Sequence, residues 1–262
     1  AVPANLEPSL ERVRRDKARP FLDGCHNEFV QTTVPRCVYG DPAGTKTIVL
    51  FGDSHATQWF PTLERIAKAR HWKLVSLTKS TCPAVSIPVF SPYLRRMYRE
   101  CDTWRSNALA RIRAEKPAIV VLSVARHYDS TYRFEVYGAK WNAGLADMVT
   151  KVRATGARAL VLGPVVKPAM IVPDCVANNL RNALGCSPPL TRVNRAGIRA
   201  EATSVLAARG TYADATPWMC GPKICPVIVG NLLVFRDDNH ISTPYAAWLG
   251  PVVAGKIDAA LR

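Results

Sequence analysis

Two short stretches of the chain carry side chains able to do chemistry as a group. Phe51-Gly52-Asp53-Ser54-His55 puts a serine directly after an apolar run, and Arg236-Asp237-Asp238-Asn239-His240-Ile241-Ser242 puts a carboxylate three residues ahead of a histidine. A serine hydroxyl is a weak nucleophile near neutral pH and needs a positioned base; the base in turn needs a carboxylate to fix its tautomer and stabilise its charged form. Asp237 and His240 on one tight loop supply the carboxylate and imidazole halves, leaving Nε2 free to face a hydroxyl. Ser54 is placed where nearby backbone N–H groups and the positive end of a helix could stabilise an oxyanion. Each motif alone has an ordinary explanation, a helix N-cap for the serine and a loop-stabilising hydrogen bond for Asp-x-x-His. Their joint presence at predicted element junctions favours chemistry.

The surrounding elements must bring the two ends together. Five short apolar runs read as buried parallel strands: Thr47 to Phe51, Trp72 to Thr78, Ala118 to Val124, Arg158 to Gly163 and Thr211 to Asp214. Helical patterns separate them. Trp59, Leu63, Ile66 and Arg70 share one face, and Leu145, Met148, Val149 and Val152 another, ending near Gly156; Trp104 to Glu115 and Val193 to Ala208 are two more. A last helix begins at Ser242 or Thr243 with Pro244 in its first turn. Strands alternating with helices of this length predict a three-layer α/β/α sandwich on a five-stranded parallel sheet. Ligands in such sheets bind beyond the carboxyl ends of the strands, which is where Ser54 falls. Residues 1–24 read as a basic N-terminal linker or extension, and 25–262 as one catalytic domain with three Pro-rich loops (81–102, 165–190 and 217–236).

The 262 residues carry a formal charge of +15, with 48% hydrophobic residues, a balance that excludes a disordered chain. Basic clusters at Arg12, Arg14, Arg15, Lys17 and Arg19, and at Arg95, Arg96 and Arg99, suit a solvated surface, an anionic lipid surface or an acidic envelope polymer. The longest apolar runs fall well short of the roughly 18 to 20 residues of a membrane helix, and the first twenty residues lack the apolar centre of a signal peptide. We therefore expect that an export signal or anchor has been removed. Eight cysteines fall as neighbours, Cys25/Cys37, Cys82/Cys101, Cys175/Cys186 and Cys220/Cys225, each pair bracketing a loop. Without a Cys-x-x-Cys pair or a Cys/His cluster at zinc spacing, disulfides in an oxidising compartment are expected rather than a metal site. That compartment also argues against a nucleic-acid partner.

Gly52-Asp53-Ser54-His55 and Asp237-Asp238-Asn239-His240 resemble the first and last blocks of the SGNH (GDSL-like) hydrolase superfamily. His55, the continuation Ala56-Thr57-Gln58-Trp59-Phe60-Pro61, Asn239-His240-Ile241-Ser242, Asp23-Gly24-Cys25 and Leu77-Thr78-Lys79-Ser80-Thr81-Cys82-Pro83 are similar to one subset. That subset is the extracytoplasmic SGNH domain of membrane acyltransferase family 3 proteins, which O-acylate envelope sugars. The resemblance implies a flavodoxin-like SGNH fold, Ser54 as nucleophile, His240 as base and then acid, and Asp237 rather than Asp238 as orienter, with Asp53 structural. It implies no cofactor and no metal. A membrane acyltransferase family 3 domain would donate the acyl group to the tethered domain, and an envelope glycan would accept it. The alternatives are a carbohydrate esterase and a catalytically degenerate binding module. The superfamily's oxyanion glycine and asparagine are missing: Lys79-Ser80-Thr81-Cys82 and Ala125-Arg126-His127-Tyr128 stand in those places. The Ser54 amide, Ser80 and Arg126 are the substitutes to examine, while His127, Trp59 and Tyr128 are possible contacts to a sugar.

Overall fold

A computed structural model describes residues 1–262. Seven strands form the main sheet: β1 (His26–Asn27), β2 (Val38–Gly40), β3 (Thr47–Gly52), β4 (Lys73–Lys79), β5 (Ile119–Ser123), β6 (Arg158–Leu162) and β7 (Thr211–Ala213). The spatial order is β1-β4-β3-β5-β6-β7, with every neighbour pair parallel; β2 joins the outer side of β4 antiparallel. The five expected strands all stand in this order, so the parallel α/β/α reading holds. The two additions split the free edge of β4 between them: β2 pairs with Lys73 to Val75, and β1 with Thr78 and Lys79. A disulfide joins Cys25 and Cys37, the residues immediately before β1 and β2. Edge backbone groups that would otherwise be open to another chain are thereby paired.

Seven helices cover this sheet or border the two motifs: α1 (Ser54–Thr57), α2 (Phe60–Ala69), α3 (Arg99–Glu115), α4 (Ala139–Arg153), α5 (Arg195–Ala207), α6 (Thr243–Trp248) and α7 (Gly250–Leu261). Successive strand side chains point to opposite faces, and here both faces are apolar. Ile48, Leu50, Ile119, Val121, Leu160 and Leu162 meet Phe60, Leu63 and Ile66 of α2, with Val253 and Ile257 of α7. Val49, Phe51, Val120, Leu122 and Val161 meet Trp104 and Ile112 of α3 and Trp141, Leu145 and Val149 of α4. Continuous apolar runs rather than alternation follow from burial on both sides.

All four cysteine pairs are bonded as neighbours, including Cys82–Cys101, Cys175–Cys186 and Cys220–Cys225. Residues 1–24, expected as an extension, lie instead against the domain. Leu6, Val13 and Ala18 are buried in the α2/α7 core, and the Asp16 carboxylate accepts from the Thr243 amide (2.7 Å) and hydroxyl at the start of α6. The basic residues of this segment masked three apolar positions spaced too irregularly to form a periodic face. No helix is long and apolar enough to cross a membrane.

Candidate active site

The strand-to-helix turn after β3 is built around a glycine. Gly52 has φ +154°, and a Cβ there would lie 1.9 Å from the Ser123 carbonyl oxygen of β5, its register partner. No side chain fits. Asp53, not Ser54, is the N-cap: its buried carboxylate accepts from the His55 amide at 2.8 Å. The same carboxylate accepts the Ala125 amide (2.9 Å) and the Tyr128 hydroxyl (2.7 Å), fastening the turn to the chain that leaves β5. Burial raises the Asp53 carboxyl above its ordinary range, and these donors oppose the rise. Ser54 is thus released from capping, and between Thr47 and Phe60 it alone is not buried.

The second motif folds into a closed turn before α6. The Arg236 amide donates to the His240 carbonyl (3.0 Å), and Asp237 Oδ1 accepts the amides of Asn239 (2.9 Å) and His240 (2.6 Å). Asp237 Oδ2 faces His240 Nδ1 at 2.8 Å, and His240 Nε2 faces Ser54 Oγ at 2.9 Å. With Nδ1–H donating to the carboxylate, Nε2 is the acceptor for the serine proton, the tautomer that general-base work requires. Burial works against the Asp237 charge, but the bonds from His240 and the two amides hold its carboxyl down at about 2. Asp238 accepts from the Asn239 side-chain amide (2.6 Å) instead. The expected serine, histidine and Asp237 therefore come together, and Asp238 does not join them.

Several supporting contacts escaped the sequence reading. His55 Nε2 donates to Asn239 Oδ1 (3.1 Å), its Nδ1 accepts from Gln58 Nε2 (3.2 Å), and Gln58 Oε1 accepts the Ile241 amide (2.9 Å). These bonds tie α1 to the histidine loop across 184 positions of sequence. Burial, then the neighbouring His240 and His127, keep His55 well below its ordinary pKa and so neutral. On the other side, buried His26 has Nδ1 within 2.9 Å of the Thr57 hydroxyl and 3.0 Å of the Thr78 hydroxyl. Its Nε2 lies 3.1 Å from Ser80 Oγ, which itself donates to Glu28 at 2.8 Å. Ser80 has one hydroxyl proton, so Nε2 of His26 is the donor and Nδ1 the acceptor. For the first group, His55, the Ala56-Thr57-Gln58 continuation and the Asn-His-Ile-Ser ending were marked only as family-like residues; nothing local marked His26.

Two expected oxyanion donors are corrected. Ser80 gives its amide to the Asn27 carbonyl (2.8 Å) and its hydroxyl proton to Glu28, so neither is free. Arg126 sends Nε and Nη2 to Glu201 at 3.1 and 2.9 Å and Nη1 to the Val124 carbonyl. Glu201, fully buried, also accepts from Trp141 Nε1 (2.8 Å) and the Tyr212 hydroxyl (2.7 Å). The ordinary reading of Arg126, as a carboxylate's partner, is the one observed. Of the three, the Ser54 amide remains, among the first-turn N–H groups that have no intrahelical partner. Trp59 is fully buried edge-on to Trp218, and Tyr128 is buried on Asp53, so neither offers a face to a sugar. His127 is half-buried, its ring 4.8 Å from that of His55, and lines a solvent-open cleft of about 100 Å³ with Arg126, Lys167 and Arg192.

Comparison with curated protein sequences finds no match. Among solved structures, the chain is similar to the periplasmic domain of a lipopolysaccharide acetyltransferase from Salmonella Paratyphi A. The TM-score is 0.71 at 18% identity, covering 96% of this chain and 97% of that one, a likeness of fold. A putative acylhydrolase from Bacteroides fragilis aligns with TM-score 0.46 at 11% identity over 85% of this chain and 91% of that one. A family model described as the SGNH domain fused to AT3 domains matches residues 24–255. That span holds both motifs and the whole central sheet, and the chain belongs to this family of SGNH domains.

Proposed function

We propose that the chain is the extracytoplasmic serine O-acyltransferase domain of an envelope-modifying enzyme, working through an acyl-serine on Ser54. The observation that carries this reading is the unbroken hydrogen-bond chain from Ser54 Oγ through His240 to Asp237. His240 Nε2 takes the serine proton as Oγ bonds to the donor's carbonyl carbon. The carbonyl electrons move onto an oxyanion facing the Ser54 amide, and collapse breaks the bond to the leaving group, which recovers the proton from His240. A sugar hydroxyl then gives its proton to the same nitrogen and attacks the acyl-serine; the ester passes to the sugar and Oγ regains a proton. Water in the acceptor's place would give hydrolysis by the same steps.

The family's fusion to AT3 domains supports an acyltransferase family 3 membrane domain as donor, in the same chain or as a separate protein. Four disulfides support a site outside the cytoplasm, where a tethered domain would meet a glycan acceptor, the acyl group most simply being acetyl. The test is turnover of p-nitrophenyl acetate by the chain and by Ser54→Ala and His240→Ala, with a fluorophosphonate adduct mapped by mass spectrometry. Loss of turnover in both variants and an adduct on Ser54 are expected. Equal rates in all three would leave a binding module, and an adduct elsewhere would defeat the assignment of Ser54 as nucleophile. Ester appearing on an added glycan, rather than free acetate alone, separates transfer from hydrolysis.

A further inference from the structure

The cleft beside the triad has an uneven charge. Its lining includes His55, His127, Lys167, Arg192, Asn194 and Thr216, and no carboxylate. Arg126 contributes no net charge, because Glu201 neutralises it inside the wall. Lys167 and Arg192 are exposed, neither forms an ion pair, and Arg192 Nε donates to the Lys167 carbonyl at 3.4 Å, which holds the two segments together. Both imidazoles add no charge: burial, then the charges of Lys167 and His240, push His127 down to about 4, and His55 is neutral as described. Asp237 and Asp238 reach His127 from the catalytic loop, and Asp129 feels Lys167 from the loop after β5. Asp237 has the Arg236 guanidinium 3.5 Å away as its counter-charge, and Asp238 and Asp129 keep their charges but do not line the cleft, so the unpaired charges of the lining are two cations. His127, with no hydrogen-bond partner in the protein, stands between them and the catalytic imidazole row.

From this arrangement we infer that the acceptor is an anionic saccharide, whose carboxylate or phosphate is bound by Lys167 and Arg192 while a hydroxyl of the same chain lies toward His127 and Ser54. An ammonium and a guanidinium fork together suit either anion. The cleft opens to solvent, so a polymer could enter without complete enclosure. This inference rests on the acyl-serine reading for its biological sense, but binding can be measured without turnover.

The experiment is calorimetric titration of the chain, at low ionic strength, with three probes. These are a tetrasaccharide of alternating glucuronate and N-acetylglucosamine, the same tetrasaccharide with its carboxyls reduced to alcohols, and a 6-phosphorylated mannobiose. Binding of a charged probe about tenfold tighter than the reduced one is expected, in line with two exposed charge pairs. That preference should disappear in Lys167→Glu/Arg192→Glu and weaken in Lys167→Gln/Arg192→Gln, both melting where the parent does. The charged probe that wins identifies the carboxylate or the phosphate as the natural group. Equal binding of charged and reduced tetrasaccharides, or a preference that survives charge reversal, would overturn the inference. Failure of the acyl-serine reading shows separately, as p-nitrophenyl acetate turnover in the unmodified chain that does not depend on Ser54.

Discussion

His26 makes a quantitative prediction that does not depend on the reaction. Burial, followed by the charges of His240, Lys79 and Arg236, lowers its pKa from the ordinary 6.5 to about 3. Between those values the unfolded chain binds a proton that the folded chain refuses, so this residue's contribution to stability is complete above pH 6.5 and falls as the solution is acidified. The slope approaches about 1.4 kcal/mol per pH unit, and integration from about pH 6 to pH 4 gives about 2.5 kcal/mol. His55 has a shift of the same sign, so total acid sensitivity is not diagnostic, but a difference is. In His26→Gln the amide nitrogen keeps a donor toward Ser80 while the titration is removed. Urea unfolding of parent and variant, disulfides intact, should show the parent's stability advantage shrinking by about 2.5 kcal/mol from about pH 6 to pH 4, a sizeable part of a typical domain stability of roughly 5 to 15 kcal/mol. A gap that stays constant within about 0.5 kcal/mol over that range would refute the reasoning.

Three further outcomes test other parts of the molecule. Asp237→Asn keeps the size of the side chain but loses the carboxylate that selects the His240 tautomer, so acylation by an aryl ester should slow by about 10⁴-fold with little change in melting; a loss under about tenfold would remove Asp237 from its role. Gly52→Ala drives a methyl group to 1.9 Å from the Ser123 carbonyl, and an unfolding cost of about 2 to 5 kcal/mol should follow, since overpacking and backbone strain combine; an unchanged melting temperature would contradict this. Glu201→Ala strands the buried Arg126 charge at a cost of about 3 to 5 kcal/mol, whereas Arg126→Met with Glu201→Leu should recover most of it; urea curves that leave the double variant as weak as the single would show that the pair's worth lies elsewhere.

The central strands were legible because their apolar runs are long and unbroken, a direct result of burial on two faces. β1 and β2 were not, having two and three residues each and holding their places only through the β4 edge and the Cys25–Cys37 bond. Cysteine pairing was readable because each loop is closed locally. Ser54, Asp237 and His240 could be named because chemistry constrains residue type and spacing near each motif. The supporting contacts could not: Arg126 finds Glu201 75 residues away and His26 finds Thr78 52 away. Pairings of that kind depend on which helix covers which strand, and that leaves no local period. The absent oxyanion glycine and asparagine were visible, but Ser80 and Arg126 as replacements failed because their donors were already taken by neighbours that only the fold supplies.

The hydroxyl and the imidazole that meet at 2.9 Å are 186 positions apart along the chain. A ribosome therefore makes the serine long before its base, and a polypeptide threading through a translocation pore carries the alcohol alone, as inert as any other. The arrangement of Ser54, His240 and Asp237 exists only once the histidine turn has docked. Under the acyl-serine proposal, a chain that stalls, misfolds or is clipped ahead of that turn would stay silent rather than consume activated acyl groups without a legitimate recipient.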